Sequence, residues 1–214
     1  MGNGGYVCGT LAAFIDGPAE VSLRAPTPLG RPLTVASDAD TFALNDGDTV
    51  IARAKSSRVE LDLPPCPSFA DSHAAPSRFE GLTRHGAPDC FVCGPNRGDD
   101  ALRIFPGPVP GTSLVAATWT PSAAFVDARG PVAPIFLWAA LDCPGYFAHR
   151  LGGAMALLGT LSARIVGNAA AGDALIVIGW PIGDKNGRKV HAGSAVFGRD
   201  GTPVAMAKAT WILM

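Results

Sequence analysis

The chain has 214 residues and a formal net charge of −1, with 48% hydrophobic and 16% charged residues. This length supports a sizeable core in one large domain or two small ones, and the charge gives no basic stripe of the kind that nucleic-acid-binding proteins carry. No apolar run reaches the ~18 residues of a membrane-spanning helix, and the N-terminus lacks the pattern of a secretory signal peptide. Five cysteines without such a signal predict reduced thiols and a cytoplasmic location.

The first half reads as one helix followed by a run of strands. The stretch NGGYVCGTLAAF predicts a helix over 4–14 that begins with two glycines, although glycine is a poor residue for a helix interior. These glycines indicate either a sharp turn or a close approach to the backbone. Alternation and β-branched residues then predict strands, at 19–25, 32–37, 40–44 and 48–61.

The second half repeats this order after a segment rich in Pro, Ser, Ala and Gly, at 63–89, which reads as a linker or a long wrapping loop. A helix is predicted over 134–143. Strands are predicted before and after it, at 101–105, 113–119, 157–166, 173–181, 189–198 and 203–213. The two halves also share a hairpin signal, DGDTVIARAK and DGTPVAMAK. We therefore predict an α+β protein with an internal duplication: a first half at 1–62, a linker at 63–89 and a second half at 90–214.

Three stretches resemble the thioesterases of the phenylacetyl-CoA thioesterase type, in their double hotdog form. They are CFVCGPNRGDDALRIFPG, the glycine-led start of the first helix, and the hairpin GRKVHAGSAVFGRDGTPVAMAKATW. Asn3 stands where that family usually has histidine, and only Met1 and Gly2 precede Asn3, where a hotdog unit has a strand. The first strand of the first half is therefore expected to be missing.

The resemblance implies an acyl-CoA thioester as substrate, with no further cofactor, and a homo-oligomer such as a dimer. It also implies that helix N-terminal N–H groups, here at Gly4 and Gly5, polarise the thioester carbonyl. A carboxylate on the facing central helix then acts as general base or nucleophile. Asp142 is our candidate because it lies in the apolar stretch PIFLWAALDCPGYFA, where burial would raise its pKa.

One composite site is expected in each chain. Asp142 lies eight residues after Pro134, whereas the matching position of the first helix is Ala12 or Ala13, which carries no acid. Pro134 in turn has no N–H to donate. A structural explanation for Asp142, as a residue at the end of its helix held by backbone donors, remains open.

The remaining candidates are binding residues. Asn3, Tyr6 and Trp138 are predicted to contact substrate. Arg188 and Lys189, after the hairpin turn DKNG, are either a solvated face or a docking point for a coenzyme A phosphate. His149 and His191 lack an obvious acidic partner.

Cys90 and Cys93 form a C-x-x-C pair, which with Cys66, His73 or His85 could form a zinc site. The spacing is irregular and no second pair is present, so we expect a buried structural loop and no metal.

Two other functions are weighed against hydrolysis. The first is a hotdog protein that binds acyl-CoA or another lipid without turnover. The second is a hydratase, which would need an Asp and a His close together. Asp142 and His149 are seven residues apart, but Pro144 and Gly145 between them are expected to break the helix.

Overall fold

The computed structural model describes residues 1–127, 130–152 and 154–214. Four α-helices lie in these ranges: α1 Gly4–Ala12, α2 Phe69–Ala74, α3 Pro134–Ala140 and α4 Cys143–Ala148. The strands are β1 Ala19–Leu23, β2 Thr34–Asp38, β3 Thr41–Asp46, β4 Thr49–Ser56, β5 Gly107–Pro108, β6 Val115–Trp119, β7 Ala156–Ile165, β8 Leu175–Asn186, β9 Lys189–Phe197 and β10 Pro203–Leu213. The predicted α+β class is confirmed. No helix in the described ranges is long and apolar enough to cross a membrane.

The strands form one ten-stranded sheet, in the order β2-β3-β4-β1-β7-β10-β9-β8-β6-β5. Counted outward from its centre, the first half contributes β1-β4-β3-β2, and the second half contributes β7-β10-β9-β8 and then β6. In each half the strand directly after the helices pairs at the centre, and the last strand of the meander lies beside it. The two halves therefore share one topology, as the internal duplication predicts, and join through the antiparallel β1–β7 pair.

The strand that precedes the central helix differs between the halves. In the second half, β6 lies beside β8. In the first half, the equivalent position lies beyond β2, whose five residues are all exposed, and no strand among the described residues pairs there. The expected missing strand of the first half therefore corresponds to this edge of the sheet.

Helices α1, α3 and α4 cover one face of the sheet, and the 63–89 region, which contains α2, helps to cover the other. Val177 belongs to the core cluster that contains α1 and α3, whereas its neighbours Ile176 and Ile178 belong to a second cluster. Successive strand residues point to opposite faces, so the second cluster lies on the far face. Val59 and Phe69 pack there. The predicted linker thus contains a short helix and wraps the sheet, while the domain bounds themselves stay a prediction.

Two predicted elements were wrong in part, and a third, the strand at 101–105, was wrong. The strand expected over 48–61 ends at Ser56, where the chain leaves the sheet. Residues 101–105 form no strand, because Arg103 has a φ of 55° and interrupts the extended backbone. Leu102 and Ile104 donate instead to the carbonyls of Phe91 and Val92. The helix expected over 134–143 ends at Ala140, and a second helix follows.

Candidate active site

Asp142 lies at the break between α3 and α4. Pro144 has no N–H to donate, and its ring would collide with the carbonyl four residues earlier in a continuous helix. The chain therefore ends α3 at Ala140 and starts α4 at Cys143, with Asp142 as the residue before α4. Ser194, which is buried, donates its hydroxyl to the Leu141 carbonyl at 2.6 Å. This hydrogen bond stabilises the break between α3 and α4, and the break sets the direction of the Asp142 side chain.

The start of α1 holds one oxygen of the Asp142 carboxylate. Oδ2 accepts the Gly5 N–H at 2.8 Å and the Asn3 side-chain amide at 2.9 Å. Oδ1 is buried and has no partner among the described residues, and the whole residue is 3% exposed. One oxygen is therefore fixed and the other keeps its hydrogen-bonding capacity free, in surroundings where an unpaired charge is costly.

Glycine at position 5 is required by the close packing of α1 on α3. A Cβ at Gly5 would lie 2.6 Å from the Asp142 Cβ and 2.7 Å from the Trp138 carbonyl oxygen. One turn later, a Cβ at Gly9 would lie 2.8 Å from the Trp138 Cβ and 3.0 Å from the Ile135 Cα. As residue numbers increase along α1, from Gly5 to Gly9, the numbers of the residues they contact on and after α3 decrease, so the two helices run antiparallel. Residues four apart share a helix face, so Gly5 and Gly9 together let the backbones approach.

Asn3 orients both the helix and the carboxylate. Its Oδ1 accepts the Tyr6 N–H at 2.9 Å, which caps the start of α1. Its Nδ2 donates to Asp142 and also lies 3.7 Å from the Cys90 sulfur. The Gly4 N–H, at the first position of α1, has no acceptor among the described residues. It is the donor at this helix end that remains available.

Burial raises the pKa of Asp142 to about 7, because the charged form loses its hydration. The Gly5 N–H works in the opposite direction, as does the smaller effect of the Asn3 amide. Negative charge on Cys90 adds to the upward shift. The sequence prediction that an apolar setting would raise this pKa is confirmed in direction.

Three cysteines lie beside Asp142. The Cys90 and Cys143 sulfurs are 3.6 Å apart, and the sulfurs of Cys90, Cys93 and Cys143 all lie within 4.8 Å of one another. Hydrogen bonds from the Cys143 and Cys93 thiols lower the pKa of Cys90 to about 2. His85 adjoins the cluster, with Nε2 3.3 Å from the Cys93 sulfur. All five cysteines of the chain are free.

The predicted substrate-binding aromatics have different surroundings. Tyr6 is 39% exposed and its ring lies 5.8 Å from Phe91 and 6.0 Å from Phe136, measured between centroids. Phe125 extends this group by contact with Phe136 at 4.9 Å. Trp138 is buried and packs against Gly9 of α1. The aromatic group that begins at Tyr6 therefore lies next to the glycines and reaches the surface.

Arg188 and Lys189 lie away from Asp142. They line a surface depression with Asn186 and Ile212, and the Arg188 guanidinium donates to the Leu213 carbonyl at 2.7 Å. His149, which ends α4, bonds the carbonyl of His191 on the neighbouring strand β9. Asp142 stands at the other end of α4. The basic pair is thus separated from the carboxylate by the length of that helix.

The helix break that the sequence predicted between Asp142 and His149 was wrong in position. Helix α4 runs through Pro144 and Gly145, and the break falls before it. Proline is tolerated there because the first helical turn needs no N–H donor at that position. Asp142 and His149 cap opposite ends of α4, about 10 Å apart along its axis, so the close Asp–His pair of a hydratase is not formed by these two residues.

The sequence predicts one site that contains Asp142, Asn3, Gly4 and Gly5, but it does not predict that Cys143 joins Cys90 and Cys93, because Cys143 falls within the helix predicted over 134–143. Cys66 and His73, the other candidate zinc ligands of the sequence, lie elsewhere: Cys66 is near Gly201, and His73 faces Thr118. The available signal was the Cys-Pro pair directly after Asp142, which marks a helix start.

Neither a protein-family model nor a curated protein matches this chain. Among solved structures, the tesB protein of Mycobacterium avium subsp. paratuberculosis aligns over 99% of this chain and 86% of its own, at 14% identity and a TM-score of 0.60. A Novosphingobium aromaticivorans structure titled as a thioesterase aligns over 99% and 87%, at 13% identity and a TM-score of 0.62. A thioesterase superfamily protein aligns over 64% and 66%, at 21% identity and a TM-score of 0.52. These alignments confirm the predicted double hotdog fold.

Proposed function

We propose that this protein hydrolyses the thioester of an acyl-CoA, with Asp142 as the reacting carboxylate. The observation that carries the proposal is the state of that carboxylate: Oδ2 is held by two donors from the start of α1, while Oδ1 has no partner among the described residues. A carboxylate fixed through one oxygen presents the other in a set direction, as general base or nucleophilic catalysis requires. One of the two full-length structural neighbours, from Novosphingobium aromaticivorans, is itself named a thioesterase, which supports the same reaction.

In the proposed reaction, Asp142 Oδ1 takes a proton from water as the water oxygen attacks the thioester carbon. The carbon–sulfur bond then breaks, and protonated Asp142 returns its proton to the departing thiolate. The products are coenzyme A with a protonated thiol and a carboxylic acid, which loses its own proton to solvent. In the alternative chemistry, Oδ1 attacks directly, and water cleaves the resulting anhydride. Label on Asp142 after a single turnover in water enriched in heavy oxygen would identify the anhydride route, with water attacking the carbonyl carbon of Asp142.

The glycines take separate roles in this proposal. The Gly5 N–H donates to Asp142, so Gly5 positions the carboxylate. The Gly4 N–H has no acceptor among the residues described, so it is our candidate donor to the thioester oxygen. One such donor supplies about 3 kcal/mol in the transition state. Tyr6 and the adjacent Phe91 and Phe136 are proposed to contact the acyl group.

One observation favours binding without turnover. Asp142 is only 3% exposed, so an incoming thioester must open a path between the start of α1 and the aromatic group. A protein that uses this apolar space only to hold an acyl chain would leave the carboxylate covered. Arg188 and Lys189 stay predicted contacts for a coenzyme A phosphate, and the homodimer stays a prediction.

Thiol release from a panel of short, medium, long and aromatic acyl-CoAs tests the proposed function. We expect at least one panel member to release free coenzyme A at a rate proportional to protein concentration. Melting temperatures are recorded for the same panel. Stabilisation by one acyl-CoA with no thiol release from any of them would replace hydrolysis by binding.

Asn3→Ser is expected to lower the rate of thiol release about 10-fold or more, since a hydrogen bond to a charged group is lost. Serine caps a helix about as well as asparagine but is too short to reach Asp142. The free energy of unfolding should therefore keep the contribution of the cap and lose only that of the Asn3–Asp142 hydrogen bond, about 1.5–3 kcal/mol. Asn3→Ala, which loses the cap as well, is expected to cost about 1 kcal/mol of stability beyond Asn3→Ser. A full rate in Asn3→Ser would remove the amide from the proposed site.

A further inference from the structure

We propose that Cys90, Cys93 and Cys143, with His85 as the fourth ligand, bind one zinc ion beside Asp142. The sequence favoured a buried loop here because it shows one C-x-x-C pair and its other candidate ligands are irregularly spaced. The fold adds a ligand that the sequence analysis left out, since the start of α4 brings Cys143 to the pair, and the preceding turn brings His85.

The spacing of the ligand atoms suits a tetrahedral centre. With zinc–sulfur bonds of about 2.3 Å, two sulfurs on one zinc lie about 3.8 Å apart. The Cys90 and Cys143 sulfurs are 3.6 Å apart, and no pair among the three exceeds 4.8 Å. The His85 Nε2 lies 3.3 Å from the Cys93 sulfur. His85 lies outside the group whose ligand atoms are all within 4.8 Å of one another, so its ring must move toward Cys90 and Cys143 to become the fourth ligand. The sulfur separation of 3.6 Å is far longer than a disulfide bond.

Burial and connectivity favour a structural metal. Cys93 and Cys143 are buried and Cys90 is partly buried, so an ion bound here would be shielded from solvent. The ligands come from two separate segments, so an ion would tie the loop over 85–93 to the start of α4. Structural zinc sites with three cysteines and one histidine have this character.

His85 must change its hydrogen bonding to serve as a ligand. Its Nδ1 accepts the Ala87 N–H at 3.0 Å, which places the ring proton on Nε2, where it faces the Cys93 carbonyl at 3.1 Å. Coordination through Nε2 moves that proton to Nδ1 and breaks the contact with Ala87. The turn that carries Ala87 is exposed, so water can replace this one hydrogen bond.

Metal content of the full chain, purified without chelator and after removal of any histidine tag, tests the proposal. We expect about one zinc per chain by elemental mass spectrometry, falling at least 10-fold in Cys90→Ser. Cys66→Ser is the matched control, because Cys66 lies outside the cluster, and it should keep its zinc. Cobalt in place of zinc should give the visible bands of a tetrahedral thiolate complex. These readouts do not depend on thioester hydrolysis.

A second measurement on the wild type covers the case in which Cys90→Ser does not fold. After removal of metal by a chelator, Cys90 should react with an alkylating reagent, and added zinc alone should slow that reaction at least 10-fold, while leaving Cys66 unchanged. His85→Ala should weaken zinc binding, with His73→Ala as its control. The proposal fails if folded wild-type chain holds only background zinc and added zinc protects no thiol, or if Cys90 and Cys143 are recovered as a disulfide. Unchanged zinc affinity in His85→Ala overturns the assignment of the fourth ligand.

Discussion

Asp142→Asn is expected to lower thiol release from the preferred acyl-CoA by about 10²–10⁴-fold, which is the usual contribution of a positioned general base. The amide oxygen of asparagine can accept the same two hydrogen bonds, from Gly5 and Asn3, that Oδ2 accepts in the wild type. The amide nitrogen then occupies the place of Oδ1, where it offers no electron pair to water or to a thioester. The variant therefore removes the reacting atom and keeps the shape of the site.

Stability separates a catalytic effect from a structural one. Because an isolated buried charge is costly, the neutral amide should leave the melting temperature unchanged or raise it. Asp16→Asn is the control, since Asp16 is an exposed carboxylate just beyond α1 and should keep the wild-type rate. If Asp142→Asn turned over at the wild-type rate, the proposed site would be wrong even if the protein proved to be a thioesterase. If it lost both activity and fold, Asp142 would be a structural residue of the α3–α4 junction.

The sequence predicted the pairing of the α1 start with Asp142 because two local signals pointed to it. Glycines ahead of an apolar run indicate close approach, and one acid in an apolar helix indicates an unusual environment. The duplicated order of elements then placed the two helices face to face. The sequence pattern could not predict which group each N–H contacts. The Gly5 N–H donates to the Asp142 carboxylate because of how closely α1 packs on α3.

The cluster of Cys90, Cys93 and Cys143 could not be predicted from the sequence for a similar reason. Its residues come from positions 53 apart in the chain, and their meeting depends on a helix break that Pro144 causes. A single continuous helix over 134–143 would have turned Cys143 in another direction. Likewise, the predicted strand at 101–105 was apolar enough for a sheet, but the left-handed backbone at Arg103 lays it against the C-x-x-C loop.

Gly5→Ala is expected to destabilise the protein by about 1–3 kcal/mol, as overpacking of a core does. Two effects oppose each other. Alanine favours a helix over glycine by about 1 kcal/mol, whereas its Cβ would lie 2.6 Å from the Asp142 Cβ and 2.7 Å from the Trp138 carbonyl oxygen. Neither neighbour is the free end of a flexible side chain, so α1 and α3 must move apart. The cost of the clash is expected to exceed the gain in helix propensity, and the Gly5–Asp142 hydrogen bond should weaken as the helices separate.

Gly4→Ala is the control that separates the effect of the Gly5→Ala clash on stability from the effect of helix propensity. It gains the same preference for helix, and its Cβ would lie 3.0 Å from the Leu158 Cδ2, 3.2 Å from the Leu158 Cβ and 3.3 Å from the Leu23 Cδ1. These distances are all longer than the 2.6 Å and 2.7 Å at Gly5, and every atom belongs to a side chain. Denaturant unfolding of the two variants should therefore place Gly5→Ala well below Gly4→Ala in free energy of unfolding. Equal stabilities would mean that the two helices tolerate separation at this point. The fixed approach of α1 to Asp142, on which the positioning of Oδ1 depends, would then have to be maintained by Asn3 alone.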